Sequence, residues 1–159
     1  MEERTLVLIK PDGLVKSLTA NIITTLSETK LKIVGAKIVK VSRELADEHY
    51  SDLQKDLIKK HGKEKGADIF DNVLDYIQGK FHTDRILALV YKGENAVKKI
   101  RELAGETNPE KALPVSIRGK YGRIHSETKV FENVIHCSDS MENAKKEIAL
   151  WFKDGEVVE

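Results

Sequence analysis

The stretch TLVLIKPDG, residues 5–13, joins a short apolar run to a turn. Residues 5–9 are all threonine, leucine, valine or isoleucine, and such an unbroken run predicts a buried strand. The next four residues contain proline and glycine, which interrupt regular structure and predict a turn. The sequence therefore places a charged residue, Lys10, at the end of a buried strand.

Apolar runs and helical repeats continue outward from this strand. Further strands are predicted over residues 31–41, 85–91 and 133–136, and helices over 22–26, 42–53, 69–77, 95–104 and 138–151. The lysine-rich segment 55–65 and the glycine- and proline-containing segment 105–132 are predicted to be loops. The order is β-α-β, then helices, then β-α-β. It predicts an α+β fold of the split βαβ kind, with an antiparallel sheet and helices on one face.

Composition bounds the class of protein. The chain has 159 residues, 40% of them hydrophobic, which fits one domain. A net charge of +1 gives no reason to expect a nucleic-acid or membrane surface. No apolar run reaches the ~18 residues of a membrane span, and the N-terminus does not resemble a signal peptide. Cys137 is the single cysteine, so an intramolecular disulfide is impossible and a cytoplasmic location is expected.

The chain lacks both common glycine-rich phosphate-binding motifs. If it handles phosphates, side chains must hold them. The candidates are Lys10, Arg101, Thr107 and Arg118, because cations and hydroxyls donate hydrogen bonds to phosphate oxygens. Each of these residues alone is more often a solvated surface residue.

His136 is the sharper candidate. It ends a short apolar strand, and Glu147 follows in the next helix, where its carboxylate could bind one ring nitrogen and leave the other free as a nucleophile. For the isolated residue, a hydrogen-bonded structural histidine is the favoured interpretation. Zinc is disfavoured because the other histidines lack ligand spacing.

Three further residues have two interpretations each. Tyr50 is either a core residue or a neighbour of the site. Ile69 and Phe70 begin an apolar helix and either pack in the core or lie against a nucleobase.

Five short motifs, in one order, resemble the nucleoside diphosphate kinase family. The sequence Asn-Val-Ile-His-Cys-Ser-Asp-Ser at 133–140 is similar to the family's active-site signature. The other four motifs are Ile-Lys-Pro-Asp-Gly at 9–13, Glu-His-Tyr at 48–50, Gly-Glu-Thr-Asn-Pro at 105–109 and Ile-Arg-Gly at 117–119. This resemblance favours a nucleophilic role for His136 over a structural one.

The resemblance implies an enzyme that moves the γ-phosphate of a nucleoside triphosphate, typically ATP, to a nucleoside diphosphate through a phosphohistidine, with ping-pong kinetics. It implies that His136 receives the phosphoryl group and that Glu147 and Ser138 position its ring, with Tyr50 beside them. It further implies that Arg101, Thr107 and Arg118 hold the phosphates. Lys10 then lies near the γ-phosphate and the ribose hydroxyls, and Asn133 binds the ribose. The expected cofactor is Mg²⁺, carried by the nucleotide phosphates and not by a metal site of the protein.

The resemblance also implies a ferredoxin-like, four-stranded antiparallel sheet covered by helices. It implies a homo-oligomer, with a hexamer favoured over a tetramer or dimer. Relative to the family, the single domain spanning 1–159 is predicted to carry insertions near 55–68, 80–84 and 122–130. The first insertion puts the base platform in doubt, since it leaves Ile69, with Phe70 adjacent, where the family places a phenylalanine.

One alternative is a non-catalytic nucleotide-binding or regulatory protein on the same fold. Such a protein would be expected to lose His136, Lys10 or Arg118, and this chain keeps all three. A chance match of the motifs is a further alternative, which their number and order disfavour.

Overall fold

The computed structural model describes residues 2–159. The strands are β1 (Glu2–Ile9), β2 (Lys32–Val39), β3 (Ile86–Glu94), β4 (Arg123–Ile124), β5 (Phe131–Glu132) and β6 (Ile135–Cys137). The helices are α1 (Pro11–Val15), α2 (Thr19–Ser27), α3 (Arg43–His49), α4 (Ser51–His61), α5 (Lys63–Ile77), α6 (Ala96–Ala104), α7 (Ile117–Tyr121) and α8 (Met141–Trp151).

The main sheet has four strands in the order β2-β3-β1-β6, and every neighbouring pair is antiparallel. Strand β1 is central, with Val7 opposite Leu89 of β3 and Leu8 opposite His136 of β6. This arrangement confirms the predicted α+β, ferredoxin-like sheet. It also puts the strand that carries His136 next to the strand that ends at Lys10.

Helices cover both faces of this sheet. Leu6 and Leu8 pack with side chains of α3, α5 and α8, whereas Val7 and Ile9 pack with side chains of α2, α6 and α7. The expectation of helices on one face was therefore wrong. The physical reason lies in the quoted stretch itself, because residues 6–9 are apolar at every position and this part of β1 has no face left for water.

The segment 55–65 is helical, contrary to the predicted loop. Helix α4 runs to His61, Gly62 turns the chain at φ +84°, and α5 begins at Lys63. Lysine, glutamine and leucine favour helices, so polarity here marks a solvent-facing helix pair. Gly66 lets the two helices approach, since a Cβ at this position would lie 2.7 Å from the Cα of Ile58.

The segments 80–84 and 122–130 meet in space. The rings of Phe81 and His125 stack with centroids 5.9 Å apart. Glu132, on β5 just beyond the second segment, joins His82 Nε2 at 2.6 Å and Arg123 Nε at 2.5 Å. Residues 105–132 thus contain α7 and the β4–β5 pair besides irregular chain. The two segments remain predicted insertions.

No helix within residues 2–159 is both long enough and apolar enough to cross a bilayer.

Candidate active site

The side chain of His136 is held by Glu147 and Ser138. Its Nε2 lies 3.1 Å from Glu147 Oε1, and Ser138 Oγ donates to Glu147 Oε2 at 2.5 Å. Ser138 Oγ also accepts a hydrogen bond from the backbone N–H of Leu6 at 3.2 Å, which ties the group to β1. Because a carboxylate only accepts, the His136 proton lies on Nε2 in the neutral ring. Among residues 2–159, nothing hydrogen-bonds to Nδ1, so that nitrogen keeps a free lone pair.

Helix α8 sets the position of Glu147. Ser140 caps its first turn by accepting from the backbone N–H of Asn143 at 3.1 Å, just after β6 ends. Burial alone would raise the pKa of Glu147, but the hydrogen bond and charge of His136, with the bond from Ser138, hold it below its usual range. Glu147 is therefore ionised at neutral pH and orients the His136 ring as an acceptor.

Arg118 lies at the start of α7 and is 5% exposed. Its Nη1 donates to the carbonyl of Gly105 at 2.8 Å, while Nη2 and Nε donate to the carbonyl of Ile135 at 3.1 and 3.3 Å. These bonds use three of the five N–H donors of a guanidinium and leave two for an anion. Burial lowers the pKa of Arg118, and the nearby charge of Arg101 lowers it further.

Lys10 directly follows β1 and lies next to the residues that lead into β6. Its backbone N–H extends the β1–β6 pairing to the carbonyl of Val134 at 2.9 Å. Its Nζ donates to Asn133 Oδ1 at 2.7 Å and lies 4.9 Å from the ring centroid of Tyr76. Burial lowers the pKa of Lys10 to about 8, although the nearby carboxylate of Asp12 opposes this change.

Asn133 links these groups to the loop after α6. Its Nδ2 donates to the carbonyl of Thr107 at 2.8 Å. The side chains of Thr107 and Arg101 are exposed at this loop and at the last turn of α6. Gly105 ends the helix with a φ of +84°. The structure therefore brings the predicted phosphate-holding and ribose-binding residues together near the end of β1 and the start of its neighbour β6.

Two supporting residues were missed in the sequence. The Tyr76 hydroxyl donates to Asp12 Oδ1, and Asp12 Oδ2 accepts from the backbone N–H of Val134 at 3.1 Å. This buried carboxylate fixes the start of α1, a short helix where the sequence predicted a turn, directly after Lys10. The position of Asp12 just after Lys10 and Pro11 was a usable signal, but nothing in the sequence pairs it with Tyr76 in α5.

Tyr50 and His49 lie at the end of α3, and His49 packs against His136. Their rings are 4.6 Å apart, and the ring of His49 lies 4.5 Å from that of His136 at an angle of 75°. Burial raises the pKa of Tyr50, and the charge of Glu147 raises it further, so the hydroxyl stays protonated. Nothing in the sequence singles out His49, because its spacing matches no ligand pattern.

His49, His136 and Glu147 have the donor atoms of a metal site, all within 4.8 Å of one another. The hydrogen bonding argues against a metal. Trp151 Nε1 donates to His49 Nδ1 at 3.1 Å, and indole N–H groups only donate. Nδ1 of His49 therefore uses its lone pair, and the proton of the neutral ring occupies Nε2. Neither nitrogen is left to bind a metal.

Phe70 is 2% exposed and packs in the core with side chains of β1, β3 and α8. Its ring has no face open to a nucleobase, so the suggestion that Phe70 carries the base does not fit the structure. The apolar spacing of α5 turns this residue inward. Ile69 is half-buried at the neighbouring position, and its contact with the base stays a prediction.

Comparisons with known proteins agree with this geometry. The sequence model of the family described as "Nucleoside diphosphate kinase" matches residues 3–157. The chain is 40% identical over 157 residues to the nucleoside diphosphate kinase of Pyrococcus furiosus, covering 99% of this chain and 87% of that protein. It is 39% identical over 156 residues to the nucleoside diphosphate kinase of Carboxydothermus hydrogenoformans, covering 98% of this chain and 91% of that protein.

Solved structures give the same result. An NDP kinase from Pyrobaculum aerophilum superposes with a TM-score of 0.86 at 31% identity, covering all of both chains. The nucleoside-diphosphate kinase from Borrelia burgdorferi, solved as a transition-state mimic with bound vanadate and ADP, superposes with a TM-score of 0.83 at 29% identity, covering 99% of this chain and 91% of that one. Over nearly its whole length, in sequence and in fold, the chain belongs to the nucleoside diphosphate kinase family.

Proposed function

We propose that His136 is the residue through which this phosphotransferase moves the γ-phosphate of a nucleoside triphosphate, typically ATP, to a nucleoside diphosphate. The observation that carries the proposal is the contact between His136 Nε2 and Glu147 Oε1 at 3.1 Å. It places the ring proton on Nε2 and leaves the Nδ1 lone pair free. An oriented ring with one free nitrogen is what nucleophilic catalysis by histidine requires.

The reaction then runs in two matching halves. The Nδ1 lone pair attacks the γ-phosphorus, an N–P bond forms, and the bond to the β,γ-bridging oxygen breaks to release the nucleoside diphosphate. The second nucleoside diphosphate attacks the phosphohistidine through a terminal oxygen and takes the phosphoryl group. Each half regenerates the starting state of the other, which gives ping-pong kinetics. The vanadate and ADP bound to the Borrelia burgdorferi relative stand in for such a transferring phosphoryl group and its leaving nucleotide.

The cationic side chains support the transfer by facing the phosphate charge. We assign this role to Lys10, Arg101 and Arg118, with the hydroxyl of Thr107. Phosphoryl transfer needs mainly positioning and charge stabilisation, so such a cradle suffices beside the nucleophile. Ser138 and Glu147 orient His136, Tyr50 lies beside them, and Asn133 binds the ribose.

A divalent metal ion serves the reaction in this family. We propose that the ion is Mg²⁺ and that it arrives on the nucleotide. Within residues 2–159, the one cluster with three metal-binding side chains is the histidine-rich group around His136, and Mg²⁺ prefers oxygen ligands. The donors present therefore do not form a protein cage for Mg²⁺. When bound to the phosphates, the ion neutralises part of their charge.

We propose a homo-oligomer, with a hexamer favoured over a tetramer or dimer. Two exposed apolar side chains support assembly in general. Leu113 and Val115, in the loop before α7, expose 71% and 85% of their surface, which a contact with another copy would bury. Sedimentation of the purified protein measures the assembly directly. A cytoplasmic location stays an expectation from cysteine content.

The replacement His136→Ala tests the proposed nucleophile. We expect transfer from ATP to GDP to be abolished while circular dichroism and the melting temperature stay close to those of the unmodified chain. The matched control is His61→Ala, an exposed histidine at the end of α4, which should keep full activity. Turnover retained by well-folded His136→Ala protein would remove His136 from the mechanism.

A further inference from the structure

We propose that His49 is a positioning residue for the phosphoryl acceptor, held by Trp151 as the neutral tautomer protonated on Nε2. The proposal deepens the proposed function and rests on it, since it takes His136 as the acceptor. His49 neither reacts nor touches the phosphate-holding groups directly. It acts by packing against the ring that reacts.

The first step of the argument is the hydrogen bond between α8 and α3. Trp151 Nε1 donates to His49 Nδ1 at 3.1 Å. An imidazolium has protons on both nitrogens and cannot accept this bond. The Trp151 bond therefore excludes the charged form of His49 and selects one of the two neutral tautomers.

The second step is the surroundings of the other nitrogen. His49 Nε2 is shut off from solvent and makes no hydrogen bond within residues 2–159. The pKa of His49 is lowered to about 3, mainly by burial and also by the nearby charges of His136 and Lys10, while the charge of Glu147 opposes the change. The adjacent residue, Tyr50, also faces the His49 ring. Together these effects keep His49 uncharged at neutral pH.

The third step is the contact with the acceptor. The rings of His49 and His136 lie 4.5 Å apart at 75°. The bond to Glu147 fixes Nε2 of the His136 ring but leaves the plane of the ring some freedom to tilt. A rigid neighbour at nearly a right angle removes this freedom and keeps Nδ1 aimed. A charged His49 would instead compete with His136 for the carboxylate of Glu147.

The experiment measures single-turnover labelling of the protein by γ-labelled ATP with Mg²⁺, from pH 5.5 to 8, for three chains. These are the unmodified chain, Trp151→Phe, and the double variant Trp151→Phe/His49→Gln. Phenylalanine keeps an aromatic ring but loses the N–H that excludes a charged His49. Glutamine stays neutral at every pH and can donate from a similar position.

We expect Trp151→Phe to label about two- to tenfold more slowly than the unmodified chain at every pH, because a His49 ring without this hydrogen bond can take the other tautomer and turn away from His136. The shape of the pH profile should not change, since burial still lowers the pKa of His49 in this variant. The apparent affinity for ATP should stay within about twofold. The double variant has the same loss of indole packing, yet glutamine has no second tautomer, so it should label faster than Trp151→Phe. That rescue separates the tautomer of His49 from a structural defect.

A Trp151→Phe protein that labels as fast as the unmodified chain would overturn the proposal, and so would a double variant that labels no faster than Trp151→Phe. Nitrogen NMR of the unmodified chain provides a test that needs no variant. We expect His49 to be neutral and protonated on Nε2 throughout this pH range, and a proton on Nδ1 would overturn the proposal equally. Absence of label on every chain, including the unmodified one, would instead contradict the proposed function.

Discussion

Replacing Glu147 with glutamine tests how the carboxylate serves the nucleophile. In the structure it accepts from His136 Nε2 at 3.1 Å and from Ser138 Oγ at 2.5 Å. A glutamine side chain has one carbonyl oxygen, so its NH₂ group faces one of these two donors. A hydrogen bond to a charged group contributes about 1.5–3 kcal/mol and a neutral one about 0.5–1.5 kcal/mol. The difference predicts a loss of ~1–2 kcal/mol, or about 5- to 30-fold in the rate of His136 phosphorylation.

Rapid-quench labelling with γ-labelled ATP measures this rate directly, separated from nucleotide binding. The matched control is Glu142→Gln, on the same helix, where the exposed carboxylate pairs with Lys146 at the surface. We expect the control to label at the unmodified rate, because exposed pairs contribute little. A Glu147→Gln protein that labels as fast as the control would refute the claim that the carboxylate orients His136.

Three further changes probe Lys10, the α4–α5 packing and the buried Glu132. Lys10→Met should abolish transfer yet raise the free energy of unfolding at pH 7 by up to ~3 kcal/mol. The pKa of Lys10 is lowered to about 8, so its burial penalty is complete below pH 8 and disappears as pH rises toward 10.5. Urea unfolding should therefore show a smaller gain at pH 10, and lower stability at both pH values would contradict this sign. Gly66→Ala should cost about 1–3 kcal/mol, because its Cβ meets the backbone of α4. The neighbouring Lys65→Ala should change the melting temperature little, and equal effects of the two would rule out the close approach. Glu132→Gln should destabilise the β4–β5 pair by weakening the contacts to His82 and Arg123, which hydrogen exchange in that segment measures. Unchanged protection there would show that the carboxylate is dispensable.

The strands were predictable because a buried strand is a short, unbroken run of apolar residues. Residues 6–9 are apolar at every position, and this alone indicates burial on both faces. The prediction of a one-faced sheet came from the order of the elements and ignored that local signal. The helix pair α4–α5 was missed for the opposite reason, since exposed helices are polar and resemble loops in composition.

The site residues were predictable only where they belong to a recognisable sequence motif. Sequence alone favoured a structural role for His136, and the resemblance in five motifs reversed that preference. Contacts between distant segments carry no such signal. The bond from Trp151 to His49 joins residues 102 positions apart, and the bond from Tyr76 to Asp12 joins residues 64 positions apart. Such pairs become visible only when the helices are packed on the sheet.

The phosphorylated protein itself provides the most direct test of the central claim. The purified chain is mixed with γ-labelled ATP and Mg²⁺ without acceptor, and the labelled residue is then located by peptide mapping. We predict label on His136 that is lost in acid, survives alkali and passes to GTP when GDP is added. Well-folded protein that takes up no label, or carries it on another residue, would contradict the account.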